Sequence, residues 1–253
     1  ARGGLERALA AAPSHVELRR RLRSLYEAVG DNRSVAEFVL GDAAAEQDVG
    51  RRVALLLEAG HLLLLADGDP ERALGVLEEV RRLTPDGQEA VVLSARAYAA
   101  LGRAEEAMAL LGELVGSFRG RRARELSPVY REMSRIQLAE GYLSEALASL
   151  TKAFEMDMKN ARLAMELGQL ALDMDEVEVA GRAFRGVTML RAGEDESGEP
   201  VTMEVKAHAQ YQLAVLAERA GDVRRAKMLA QKALSDNPHH DLARQLLATL
   251  DRA

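Results

Sequence analysis

Cysteine and tryptophan are absent from the 253 residues, and Phe, Tyr and Trp together make up only 4%. Without cysteine this stretch has no disulfide, no thiolate zinc site and no thiol nucleophile. With so few aromatic rings, leucine and small residues must fill the core. Long apolar runs are also missing. The longest, "HLLLLA" at 61–66, is far short of the roughly 18–20 residues that span a bilayer, so direct membrane insertion is not expected. No signal peptide is legible. A cytoplasmic location is the expectation, with the periplasm left open. Lysine is scarce, confined to Lys152, Lys159, Lys206, Lys227 and Lys232. The arginine bias points to a bacterial genome of high GC content.

The net charge is −6, with both signs well mixed. Nucleic-acid affinity rests on clustered cations that neutralise phosphate, so a nucleic-acid partner is not expected. At 48% hydrophobic, the chain is long enough to bury a core as one large domain or one repeat array.

A sparse spacing organises the chain. From Ala217 to Pro238, the residues Gly221, Ala226, Ala233 and Pro238 stand five, seven and five apart. Gly68, Ala73, Val80 and Pro85 repeat the pattern. So do Gly102, Ala107 and Leu114, then Gly141, Ala146 and Ala153, with Met158 where proline would fall. Asp175, Ala180 and Val187 follow it, and Gly30, Val35 and Asp42 form the weakest copy. The physical reading is a helical hairpin. Glycine ends a first helix in a left-handed turn. A small residue lets the second helix approach closely, and the residue seven further on lies on the same face. Proline stops that helix. "DGDPERA" places Asp69 as N-cap with Pro70 at the first helical position, and "LSPVYREM" suggests the same for Ser127 and Pro128.

Counting back from each turn gives units at 16–49, 54–87, 88–121, 127–160, 161–194 and 207–240. Ala1, Ala8 and Pro13 fit the second half of one more unit, so residues 1–15 read as a truncated repeat and the chain as starting inside a longer array. Residues 241–253 read as a capping helix, although Leu246, Leu247 and Leu250 could support further repeats. A period of about 34 residues with this pattern resembles the tetratricopeptide repeat. The motif of that family has Leu-Gly or a small residue, then tyrosine, in the first helix. "LSARAYAALG" matches it at Ala95, Tyr98 and Gly102. "AMELGQLALDMD" matches at Leu167 and Gly168, with Ala171 in place of tyrosine. "YQLAVLAERAG" matches at Leu213 and Ala214. A generic bundle rich in Ala and Leu is the plainer alternative. A coiled coil fits less well, because turn glycines interrupt each hairpin. The resemblance implies an all-α, right-handed superhelical solenoid of stacked antiparallel helix pairs, with about six repeats and a C-terminal helix in one continuous domain.

The motifs of catalysis are missing: no glycine-rich phosphate loop, no GxSxG and no HExxH. His15, His239 and His240 fall in turns between repeats. Adjacent histidines in a turn could hold a metal, but the favoured reading is solvation. His61 reads as a packed or edge residue. The acidic run 173–178 reads as a solvated hairpin turn. The basic cluster 118–125 reads as a solvated extension of a second helix, with contact to an acidic partner as the alternative. The segment 193–206 breaks the period. It reads as an exposed loop leading into a lengthened helix, and a partner contact there is the sharper alternative. No cofactor, no metal and no catalytic residue are expected.

The family resemblance implies that the first helices line a concave groove for peptide segments. Groove-facing positions lie near the second, fifth, ninth and twelfth residues of each unit. The central set is Val92, Arg96, Arg131, Arg135, Leu138, Arg162, Met165, Gln169, Leu172 and Tyr211. His208, Val215, Glu218, Glu58, Leu62 and Leu65 fall at equivalent places. Arg96, Arg131, Arg135 and Arg162 are expected to neighbour one another among apolar residues. Such a surface suits an acidic segment with apolar anchors. The plainer alternative is that these arginines pair with Glu132 and Glu166 or only solubilise the face. The carboxylate clamp of chaperone-binding members is not matched, since Arg20, Ser24 and Ala59 stand at its places. The expectation is a non-catalytic scaffold or adaptor segment of a larger bacterial protein that binds a protein or peptide. The alternatives are the regulatory or substrate-docking arm of an enzyme, of glycosyltransferase or Ser/Thr kinase type, and a structural subunit of an envelope or motility assembly.

Overall fold

A computed structural model describes residues 2–12, 15–65, 68–119, 123–194 and 200–252. Residues 1–121 and 122–253 form two compact units. The first contains α1 (Arg2–Ala11), α2 (Val16–Val29), α3 (Asn32–Ala45), α4 (Val49–Leu63), α5 (Pro70–Leu83), α6 (Gln88–Ala100) and α7 (Ala104–Ser117). The second opens with a 3-10 turn at Arg124–Leu126. There follow α8 (Ser127–Ala139), α9 (Leu143–Met156), α10 (Ala161–Asp173), α11 (Val177–Met189), α12 (Met203–Arg219), α13 (Val223–Asp236) and α14 (Asp241–Leu250). Between α11 and α12, Gly193–Glu194 (β1) pairs antiparallel with Pro200–Val201 (β2). Within each unit, consecutive helices stack as hairpins, giving an all-α solenoid arrangement.

The small residues of the repeat frame sit where the helices touch. Ala73, Ala107, Ala146, Ala180 and Ala226 are fully buried, and Val80, Ala153, Val187 and Ala233 are buried one stripe further along. Alanine at each crossing brings the backbones together, and leucines fill the rest of the core. The second unit adds Phe154 and Phe184, both buried in its main core cluster. Gly168 shows why the frame asks for glycine there. A Cβ at that position would lie 2.4 Å from the Phe184 ring.

The turns follow the same chemistry. Gly30, Gly102, Gly141 and Gly221 all have positive φ, as does Asp175 at the equivalent place. Gly68 departs from the expectation. Helix α4 stops earlier, at Leu63, and Gly68 is not left-handed. Its constraint is steric, since a Cβ would meet the Leu63 carbonyl oxygen at 1.9 Å.

Asp69 caps α5 as expected, accepting from the Arg72 amide at 3.1 Å, and Pro70 opens the helix. Ser127 does not cap. The 3-10 turn already carries the chain into α8, and the buried Ser127 hydroxyl instead donates across to the Ala153 carbonyl at 3.0 Å. Two helices start ahead of the repeat frame because side chains there offer caps. Asp48 accepts from Arg51 N–H before α4, and Thr202 accepts from Val205 N–H before α12.

Two further expectations change. The 193–206 segment is not wholly a loop, because its ends form the β1–β2 pair, with Val201 buried. The lengthened helix after it is present, as the 17 residues of α12; residues 195–199 lie outside the described residues. The basic cluster 118–125 does not extend α7, which ends at Ser117. Arg119 turns the chain with φ 51°, and Arg124 pairs with the buried Asp157 carboxylate at 3.2 Å. Residues 120–122 of that cluster lie outside the described residues.

Candidate interaction face on the first helices

In the second unit, the predicted groove positions lie on α8, α10 and α12. Arg135, Leu138, Arg162 and Gln169 are exposed, while Arg131, Met165, Leu172 and Tyr211 are half-buried. Val92 and Arg96 are half-buried on α6 of the first unit.

Arg131 reaches from α8 to α10 and grips Glu166 with two nitrogens. Nε donates to Oε2 at 2.8 Å, and a terminal nitrogen donates to Oε1. Arg162, one turn before Glu166 on α10, places its Nε 3.4 Å from the same carboxylate. Arg135 pairs with Glu132 at 3.5 Å; Glu132 itself is buried. Three guanidinium groups thus share two carboxylates, and the arginines are part of an ion-pair network that ties α8 to α10.

The face continues through amides and rings. Gln169 donates to Asp173 at 2.8 Å on its own helix and accepts from Gln212 of α12 at 3.5 Å. The Gln212 amide lies 3.3 Å from His208 Nε2. His208 Nδ1 lies 3.4 Å from His240 Nε2 at the start of α14, and the Tyr211 ring packs 5.2 Å from the His240 ring. A polar row therefore crosses α8, α10, α12 and the start of α14. Leu138 lies on this face towards the end of α8, and Met165 and Leu172 flank Gln169 along α10. Met165 and His208 also line a cleft of about 440 Å³ with Val205, His240 and Leu242. Burial, and then the neighbouring His240, push the His208 pKa below its usual value.

The first unit has a comparable cross-hairpin tie. Arg23 of α2 bonds Glu58 of α4 at 2.6 Å and Glu27 of its own helix at 2.8 Å. The Arg23–Glu58 separation is 35 residues, the same as for Arg131–Glu166. His61 is an edge residue, half-exposed and 3.3 Å from Glu89. The acidic run 173–178 is an exposed turn apart from half-buried Met174.

Sequence reasoning missed His240. Set down as a solvated turn residue, it is only 9% exposed, and its Nδ1 accepts from the Ala243 amide at 3.2 Å, capping α14. Its position directly before α14 was the available signal, but histidine is not among the favoured capping residues. Gln212 was also missed, because it falls between the groove positions of the repeat frame. Among the described residues, no group of three or more His, Asp or Glu side chains is placed to hold a metal ion, and no helix is long and apolar enough to cross a membrane.

Models of the tetratricopeptide repeat match residues 64–126 and 208–240. No curated protein matches the sequence. Among solved structures, YrrB, a TPR protein with an unusual peptide-binding site, is 18% identical over 76% of this chain and 89% of its own, with a TM-score of 0.49. MamA is 18% identical over 67% of this chain and 90% of its own, with a TM-score of 0.48. A tetratricopeptide repeat protein from Parabacteroides merdae ATCC 43184 is 14% identical, covering 99% of this chain and 91% of its own, with a TM-score of 0.48. The two matched segments join a helix-hairpin architecture with buried alanine at its crossings, and the chain carries tetratricopeptide repeats.

Proposed function

We propose that the chain is a non-catalytic interaction module that binds an extended or helical peptide of a partner protein along α8, α10 and α12. The observation that carries this reading is the row from Arg131 to His208. It supplies donors and acceptors across three successive helices, with Leu138, Met165 and Leu172 on the same face. A preformed surface of this kind lowers the ordering cost on the receptor side.

The favoured ligand is an acidic segment with apolar anchors. Arg131, Arg135 and Arg162 bring three guanidinium groups to the face formed by α8 and α10. A ligand carboxylate could share Arg135 or Arg162, whose side chains are 60% and 58% exposed, while leucine or phenylalanine covers Met165 and Leu172. The affinity would come from the apolar contacts and the selectivity from the arginines.

The test is fluorescence anisotropy with a library of labelled peptides that vary charge and apolar spacing. Acidic peptides with two apolar anchors should bind, and Arg135→Glu with Arg162→Glu should weaken them about tenfold or more, given roughly 1.4 kcal/mol per decade. Lys232→Glu on α13 should leave binding unchanged. Equal affinity for acidic and basic peptides, or no effect of the paired reversal, would refute the ligand class.

A further inference from the structure

We propose that the cleft where α10, α12 and α14 begin receives an arginine side chain of the partner peptide. This rests on the reading that a peptide binds along α8, α10 and α12, and it adds to that ligand a second charge of opposite sign. The cleft exists because α12 starts early. The repeat frame begins at residue 207, whereas Thr202 caps a helix that begins at Met203. The extra turn supplies Glu204 and Val205 to the cleft, and Met165 of α10 and Leu242 of α14 join them. His208 and His240 complete the lining. Its volume of about 440 Å³ falls in the range of ligand pockets, about 300–1,000 Å³.

The charges of the cleft select a cation. Its lining contains two carboxylates, Glu204 and Asp241, and neither arginine nor lysine. Asp241 is held by Arg244 at 2.7 Å. Glu204 is exposed and, among the described residues, has no ion pair, so its carboxylate is available to a ligand. The half-buried His208 ring does not oppose a cation at neutral pH, because burial holds its pKa below the usual value.

Arginine matches both halves of the lining. Its methylene stem covers Met165, Val205 and Leu242, of which Leu242 is 49% exposed. Its guanidinium forks the Glu204 carboxylate and packs flat against imidazole. Lysine brings the same charge as a compact, strongly hydrated point, without the fork. An aromatic side chain fills the apolar part and leaves Glu204 to water. An acidic side chain meets Glu204 as a like charge.

The cleft adjoins the arginines of the face. Arg162 stands three residues before Met165 on α10, so the two are neighbours on one helix face. A ligand carboxylate at Arg162 and a ligand guanidinium in the cleft are then about one helical turn apart. In an extended peptide, alternate side chains point the same way about 7 Å apart. The ligand therefore carries its acidic residue and its arginine two positions apart, beside the apolar anchors.

The test measures anisotropy of four labelled peptides on the full chain. Each has one acidic residue and two apolar anchors, and the position two from the acid is Arg, Lys, Gln or Glu. The arginine peptide should bind about fivefold tighter than the glutamine peptide, with lysine between and glutamate weakest. Glu204→Gln should abolish that advantage and leave the glutamine peptide unchanged, and Glu204→Lys should reverse the order. Four equal affinities that still depend on Arg135 and Arg162 would overturn the cleft and leave the face reading standing. If no peptide binds, the face reading fails, and a second readout judges the cleft alone. N-acetylarginine amide at millimolar concentration should shift the Met165 methyl signal of the ¹³C-methionine-labelled chain, assigned through Met165→Leu. N-acetylglutamine amide should not, and Glu204→Gln should remove the effect. A Met165 signal that stays in place, or moves equally with both probes, would overturn the proposal.

Discussion

Arg131 and Glu166 lie 35 residues apart and meet as a bidentate pair, with Arg131 Nε 2.8 Å from Glu166 Oε2. The pair joins the first helices of two adjacent hairpins. Both side chains are more than a third exposed, so solvent screens much of the attraction. The tie fixes how the two helices sit more than it stabilises the fold. A double-mutant cycle of Arg131→Ala and Glu166→Ala should give a coupling of about 0.5–1 kcal/mol, weakening with added salt. Urea denaturation at two ionic strengths measures it. A coupling above about 3 kcal/mol would mark the pair as a buried-type ion pair and contradict the exposure.

Gly168 and Gly75 should respond in opposite directions to the same substitution. Alanine at 168 drives a methyl group into the Phe184 ring, and overpacking of this kind costs about 1–3 kcal/mol. Alanine at 75, in the middle of α5, meets nothing within 4 Å and should stabilise by about 0.5–1 kcal/mol through helix propensity. Thermal unfolding of the two variants should therefore bracket the unsubstituted chain. Two stabilising shifts would show that local helix propensity, not the α10–α11 contact, governs position 168.

Asp175 occupies with φ 60° a turn that glycine occupies elsewhere. Asp175→Gly should relieve strain and stabilise by about 0.5–1 kcal/mol. The reverse change at an equivalent turn, Gly141→Ala, should cost about 1–2 kcal/mol, because its φ is 81°. Chemical denaturation midpoints compare them directly. Loss of the 3.9 Å contact from Arg219 to Asp175 is a minor offset. A destabilised Asp175→Gly would mean that this contact outweighs the backbone.

Ser127→Ala separates the two roles open to this serine. As an N-cap its loss would fray only the start of α8. As a buried donor to the Ala153 carbonyl, which also accepts from the Asp157 amide, its loss removes one hydrogen bond between α8 and α9, costing about 0.5–1.5 kcal/mol. Hydrogen exchange reads the difference. Protection should fall along both α8 and the end of α9. A change confined to the first turn of α8 would restore the capping role.

The spacing of Gly, Ala and apolar residues carried the hairpins because it is local physics repeated. A left-handed turn needs a residue that tolerates positive φ, and Gly30, Gly102, Gly141, Asp175 and Gly221 announce themselves. A helix crossing needs a small residue, and Ala73, Ala107, Ala146, Ala180 and Ala226 supply it. Helix starts were less legible where the chain offered a cap outside the repeat frame, as at Asp48 and Thr202. The sequence offered a candidate face as a set of positions on first helices, and in the second unit those positions are exposed or half-buried.

What the arginines do on that face was not legible. Helical periodicity assigns a residue to a face but does not choose its partner on the neighbouring helix, where several carboxylates compete within reach of a long side chain. Only the packing of α8 on α10 gave Glu166 to Arg131 and Arg162 and left Glu132 to Arg135. His240 shows the same limit more sharply. Its place before α14 could be read directly, but its burial, its cap and its bond to His208 required α12 and α14 to be brought together. The repeat pattern by itself determined the hairpins, because turns and crossings depend on residues close in sequence. Tertiary structure decided the pairings, because these depend on distances between helices about 35 residues apart.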